Sequence, residues 1–451
     1  MSFSVPIPRE HPAESSAWPI PAGRAYRCQC GCPIFFRNSE CLACGTPLGY
    51  APELARLLPL MPGAASGTWV LWQAAPADDS GQTALAFDSE GYALAPPSPA
   101  IYSRCANLET PAACNWLVPL NEAPDGTGAA MLCQSCRLNR TIPDLNDPEH
   151  PENGMLWGRI ELAKRRLVSA LLSLGLPVAS MMTEDAERGM AFDLLRSPDD
   201  GPPVMTGHHG GLITLNLQEA DDAVREAVRT VMHEPYRTLL GHFRHEIGHY
   251  YWERLVLGTP WMDGFRTLFG DETVDYAASL QRNYQQGPPS QWWLHYVSAY
   301  ASAHPWEDWA ESWAHYLHMR DTIDTAWGFG LAADSARLEF TPFTLDALYQ
   351  PQHPQAQHFL DFLNDWTRLT TLLNEMSRSM GQPDFYPFVL PREVVAKLHF
   401  IHLLVTSASQ PRDDSGSIQA APQESQPPAI HAGDLQGQEQ LQMQGYGQQP
   451  Q

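Results

Sequence analysis

The chain has 451 residues, 43% of them hydrophobic, and a formal charge of −23 from 51 acidic and 28 basic residues. That length and apolar content exclude a disordered chain and allow two or three domains with a sizeable core. The acidic excess repels phosphate backbones and anionic bilayers, which weighs against nucleic acid and membrane partners. No apolar run reaches the roughly 18–20 residues that cross a bilayer.

Residues 1–25 are Pro-rich and lack a basic start followed by an apolar stretch, so they read as a flexible extension and not as a signal peptide. A cytoplasmic protein is the expectation. All nine cysteines lie before residue 137, which in that compartment points to metal and not to disulfides. Cys41 and Cys44 form a C-x-x-C followed by Gly45, and Cys28 and Cys30 precede Gly31. Two such knuckles around a short β-like segment at Pro33–Phe36 describe a zinc ribbon, in which glycine lets backbone amides approach the thiolate sulfurs. Cys32 is either an alternative ligand or a bystander. A second set, Cys105, Cys114, Cys133 and Cys136, again offers four thiolates, enough for a closed tetrahedral site; packed or redox-active thiols are the alternative.

Between the two sets, Gln73–Pro99 is read as a hairpin-containing extension. The short basic runs Arg137–Arg140 and Lys164–Arg166 are read as solvated faces. After a Pro-punctuated linker at Pro143–Asn153, a helix begins near Leu156 and ends near Gly175. A strand is expected over Gly211–Leu217, and a helix over Ala220–Met232. His208 and His209 precede that strand in a Gly-rich turn, either facing a cleft or simply turning the chain.

Thr238–Leu257 carries apolar and aromatic residues at helical intervals and contains the H-E-x-x-H set His245, Glu246 and His249. One helical turn puts the two imidazoles on one face, where they can share a zinc ion with Glu246 beside them as a base. Gly248, a poor helix former, implies close approach by another element. His242 is either a neighbour of that site or a packed histidine. A third ligand is sought in His304–Met319, a second helix with Pro305 in its first turn. There Trp306, Trp309, Ala310, Trp313, Ala314 and Leu317 mark the core stripe, while Asp308, Glu311, His315 and His318 share one side. Glu311 is the expected ligand, with Glu307 or Asp308 as alternatives; Asp308 and His315 are then candidates for orienting the ligands. In such a site the ion polarises a carbonyl and lowers the pKa of water toward about 7. Glu246 takes the proton and returns it to the leaving amine. A donor to the oxyanion would come from Tyr250, His315 or Tyr316.

Thr341–Val405 is mostly helical with a break at Gln382–Pro391, and residues 406–451 read as a disordered Gln/Pro-rich tail.

Several stretches together resemble a bacterial family of zinc-binding metallopeptidases with an N-terminal zinc ribbon: CGxPxFFRNxxCxxCGxxLGY at Cys30–Tyr50, CNWLVP at Cys114–Pro119 and CxSCRLNRTIPDL at Cys133–Leu145. The resemblance continues through EPYRTLLGHFRHEIGHYYW at Glu234–Trp252, FGDE at Phe269–Glu272, HPWEDWAESWAHYLH at His304–His318 and QPDFYPFVL at Gln382–Leu390. It implies an α+β protein: a cysteine-rich zinc-ribbon domain over 26–145, then a mainly helical, gluzincin-like domain with a small sheet over 155–405. The spacing of Cys28 and Cys30 departs from the commoner C-x-x-C, which leaves Cys32 open as a ligand. The expected cofactor is zinc, one catalytic ion and one or two structural ions. The expected partner is a peptide or protein substrate. The reading set against hydrolysis is a non-catalytic module whose ribbon and peptidase-like domain bind a protein partner.

Overall fold

The computed structural model describes residues 24–72, 100–120, 131–231, 234–331 and 338–409. The expected hairpin at 73–99, most of the N-terminal extension and the tail from 410 onward lie outside them. Two ends of those expectations move. Arg24, inside the expected extension, is buried and bound to Asp321. The last helix continues through Ser409, past the expected limit of 405.

The ribbon opens with β1 (Tyr26–Arg27) paired antiparallel to β2 (Pro33–Ile34). A five-stranded antiparallel sheet follows in chain order: β3 (Leu48–Ala51), β4 (Arg56–Pro62), β5 (Trp69–Leu71), β6 (Ile101–Arg104) and β7 (Leu117–Pro119). An isolated bridge between Tyr50 and Trp116 brings the first strand back against the entry to the last, so the sheet curls on itself. The mixed sheet of the second half has the order β10-β11-β9-β8. Its strands are β8 (Asn139–Thr141), β9 (Ala191–Leu195), β10 (Gly207–His209) and β11 (Leu212–Asn216). β8 comes from the cysteine-rich half and pairs parallel to β9, so the two halves share a sheet.

The helices are α1 (Asn153–Ser173), α2 (Asp222–Val231), α3 (Leu239–Leu255), α4 (Met262–Phe269), α5 (Tyr276–Gln286), α6 (Pro305–Gly328), α7 (Ala356–Ser379) and α8 (Arg392–Ser409). Thr238 caps α3 by accepting from Gly241 N, and His304 caps α6 ahead of Pro305. None of the described helices is long and apolar enough to cross a membrane.

α3 and α6 cross at Gly248. A Cβ there would stand 3.1 Å from Ala310 Cα and 3.3 Å from Trp313 Cβ. Trp309 Nε1 donates to the Gly248 carbonyl at 2.8 Å, and the Tyr251 and Trp313 rings stack at 5.1 Å. The glycine therefore sets the distance between the two helices, as its presence in a helix suggested.

Of the basic runs, Arg140 keeps an exposed side chain, whereas Lys164 and Arg165 are buried and do not form a solvated face. Lys164 is fully buried, with its ammonium 2.7 Å from Glu161, while Arg140 pairs with Asp193. Arg166 meets Asp321, which also accepts from Arg24 and Arg244 at 3.0 and 2.7 Å. Burial opposes ionisation of Asp321, but three guanidiniums outweigh it and hold the carboxyl far below its usual range. These pairs tie the ribbon, α1, α3 and α6 together.

Candidate metal centres

Two thiolate clusters form. Cys28, Cys30, Cys41 and Cys44 place their sulfurs within 4.8 Å of one another, as do Cys105, Cys114, Cys133 and Cys136. The positive φ angles at Gly31 and Gly45 turn the ribbon chain behind its ligands. Cys32 lies outside both groups; its carbonyl accepts from Cys28 N at 2.9 Å. The clusters differ in exposure. Cys30 and Cys44 are exposed, whereas all four cysteines of the second set are buried. Hydrogen bonding by Thr46 pulls the Cys44 thiol down to about 6, while burial pushes Cys133 well above its ordinary value. A cation held there would favour the Cys133 thiolate against that burial. With zinc bound, a chelator should release the metal held by the two thiolate clusters in two phases, the faster from the ribbon. A dye-based release assay on Cys44→Ser should lose only the fast phase.

The third group joins α3 to α6. His245 Nε2 lies 3.0 Å from Glu307 Oε2, and His249 Nε2 lies 3.7 Å from Glu307 Oε1. The two imidazole rings are 5.0 Å apart. Glu307, not Glu311, completes this group. Glu311 stands one helical turn further on, against the other edge of the same ring, with Oε1 2.8 Å from His245 Nδ1. Ser298 donates to its second oxygen at 2.6 Å. Asp308, the other alternative, is buried against Lys397 Nζ at 2.7 Å.

The residues present fit a divalent cation. Glu307 is almost fully buried, and its Oε2 makes no hydrogen bond with any described residue despite the close imidazole. Its other oxygen accepts from the Tyr276 hydroxyl at 2.6 Å. A carboxylate oxygen and two ring nitrogens within 4.8 Å of one another, with that oxygen left without a hydrogen bond, are a donor set that a divalent metal ion takes. Two imidazoles and a carboxylate fill three of four tetrahedral positions and leave one open.

Glu246 sits beside this group without an ion pair or hydrogen bond to a described residue, and its oxygens are not sealed from solvent. Burial raises its carboxyl to about 7, with Glu307 and Glu311 adding to the effect and His245 opposing it. Burial lowers His249 to about 4, so that ring is neutral and able to act as a ligand.

The other expected residues are placed elsewhere. The Tyr250 hydroxyl donates to the Arg188 carbonyl at 2.8 Å, and that of Tyr316 lies 3.0 Å from His402 Nδ1. His315 Nδ1 meets the Tyr386 hydroxyl at 2.6 Å, and the charges closest to it are those of Glu311 and His245. His242 is half-buried, 3.8 Å from Glu219. His208 does face the site, its ring stacked 6.3 Å from that of His249, while His209 is exposed. Sequence reasoning missed Tyr276, Ser298 and Tyr300. Tyr276 follows the FGDE stretch closely, which is the one signal that pointed to it.

Residues 153–404 match the family described as "Putative zinc-binding metallo-peptidase". The chain belongs to that family. Residues 25–147 match a zinc-ribbon domain. Uncharacterised proteins of Mycobacterium tuberculosis and Mycobacterium bovis are 42% identical over 385 residues, covering 85% of this chain and 95% of each relative. No solved structure matches the chain. The α+β architecture with an N-terminal zinc ribbon stands as expected, and zinc is the metal that the family and both cysteine clusters support.

Proposed function

We propose that this protein is a zinc-dependent peptidase that hydrolyses peptide bonds with Glu246 as general base. The observation that carries the reading is the convergence of His245 Nε2, His249 Nε2 and a Glu307 oxygen beside the unengaged Glu246 carboxylate. Zinc held there would supply Lewis acidity to the carbonyl and to water. The protein's own groups do the rest. Glu311 fixes the His245 ring and its tautomer through Nδ1, and Ser298 fixes Glu311 in turn. Tyr276 holds Glu307. Glu246 accepts a proton from the attacking water and passes it to the leaving amine, a task suited to a carboxyl near neutrality. The two thiolate clusters have four ligands each and no open position, so their role is structural.

A second reading draws support from the ribbon surface. Phe35 and Leu42 are 61% and 94% exposed beside the metal knuckles, and large apolar side chains in such places suit contact with a protein partner. Incubating wild type and Glu246→Gln with a proteome-derived peptide library separates the two. Cleavage by wild type alone, with equal zinc in both, is the expected outcome. Cutting that persists in the variant contradicts the mechanism, and retention of peptides without cutting by both favours the contact role.

A further inference from the structure

Addition of water to a peptide carbonyl places a negative charge on its oxygen, and one preorganised donor to that oxygen is worth about 10²–10³-fold in kcat. Tyr250 and Tyr316 have their hydroxyls engaged elsewhere. His315 neighbours Glu311, which lies on the Nδ1 edge of His245, away from Nε2. Tyr300 is placed differently. Its ring lies 6.0 Å from that of His245. The charge that acts on it most is that of Glu307, the carboxylate that meets His245 Nε2. Tyr300 is half-buried, and its hydroxyl makes no hydrogen bond to any described residue. Its position is fixed by a short 3-10 turn, Tyr300–Ala303. Ala301 N in that turn donates to Ser298 Oγ at 3.1 Å, and Ser298 in turn donates to Glu311. One turn thus braces the His245–Glu311 pair and holds the Tyr300 ring beside it.

We propose that Tyr300 donates the hydrogen bond that stabilises the substrate carbonyl oxygen during attack. This rests on the peptidase reading above. The water oxygen bonds to the carbonyl carbon, and its proton goes to Glu246. The carbonyl π pair moves to oxygen, which accepts from Tyr300 without taking its proton. Return of that pair breaks the C–N bond, and Glu246 gives its proton to the amine.

A phosphinic tripeptide carries the same tetrahedral anion without reacting. Calorimetric titration of it into the zinc-loaded full chain tests the assignment. Tyr300→Phe should bind at least about tenfold more weakly than wild type with unchanged zinc content. With a cleavable peptide, kcat should fall about 100-fold while KM stays within about twofold. Equal phosphinate affinity in wild type and Tyr300→Phe overturns the proposal. So does a loss seen in His315→Gln instead, or no binding by wild type. Failure of the peptidase reading shows separately, as indistinguishable product profiles from wild type and Glu246→Gln; the affinity ratio does not depend on it.

Discussion

Glu307→Gln should cost the chain one of the zinc ions that its three ligand groups can hold, together with all hydrolysis, while Glu311→Ala keeps that ion. Both carboxylates lie on α6 one turn apart, and both touch His245. Only Glu307 reaches the Nε2 edges of both rings. Gln is nearly isosteric and should leave α6 intact, but it removes the negative charge and one strong ligand oxygen. Glu311→Ala removes only the partner of Nδ1, and loss of such a partner typically weakens metal affinity by about 10–100-fold. Elemental analysis after gel filtration, followed by titration against a zinc buffer, distinguishes the two. The ion surviving in Glu307→Gln and vanishing in Glu311→Ala would reverse the assignment.

Cys133→Ser should be the most damaging substitution in the first third of the chain. Its sulfur is fully buried beside Cys114 at 3.6 Å, and its backbone N–H donates to Cys105 Sγ. Structural zinc in zinc-finger peptides contributes about 10–16 kcal/mol at neutral pH, as much as the whole stability of many domains, about 5–15 kcal/mol. The damage should spread beyond the ribbon. Cys136 lies against Glu161 of α1, and the strand that follows it, β8, is part of the second domain's sheet. Thermal unfolding followed by tryptophan fluorescence should show the variant already unfolded, or its transition lowered by tens of degrees. Cys32→Ser, outside both clusters, should unfold with wild type.

The pattern of residues reached far into this fold where local chemistry decides. Cysteine pairs with following glycines located the ribbon ligands, and Gly248 announced a helix crossing. The H-E-x-x-H spacing put two imidazoles on one face of α3. It failed where a choice depends on how elements pack. Glu307 and Glu311 share a helix face, so periodicity cannot separate them; the axial offset of α6 against α3, set at Gly248 and Ala310, decides which one reaches both rings. Arg166 looked solvated because its acidic partner is distant in sequence; Asp321 is 155 residues away. Strand β8 was hidden for the same reason. Its three residues acquire meaning only beside β9. Tyr276, Ser298 and Tyr300 come from segments with no metal-ligand motif, the first at the start of α5 and the others on the path between α5 and α6.

Anomalous diffraction at the zinc edge from crystals of the zinc-loaded protein tests the central claim most directly. The account predicts a peak within ligand distance of His245 Nε2, His249 Nε2 and a Glu307 oxygen, with Glu311 still on His245 Nδ1, in addition to one peak in each thiolate cluster. Peaks in the thiolate clusters alone, or a peak held by Glu311 with Glu307 apart from it, would contradict it.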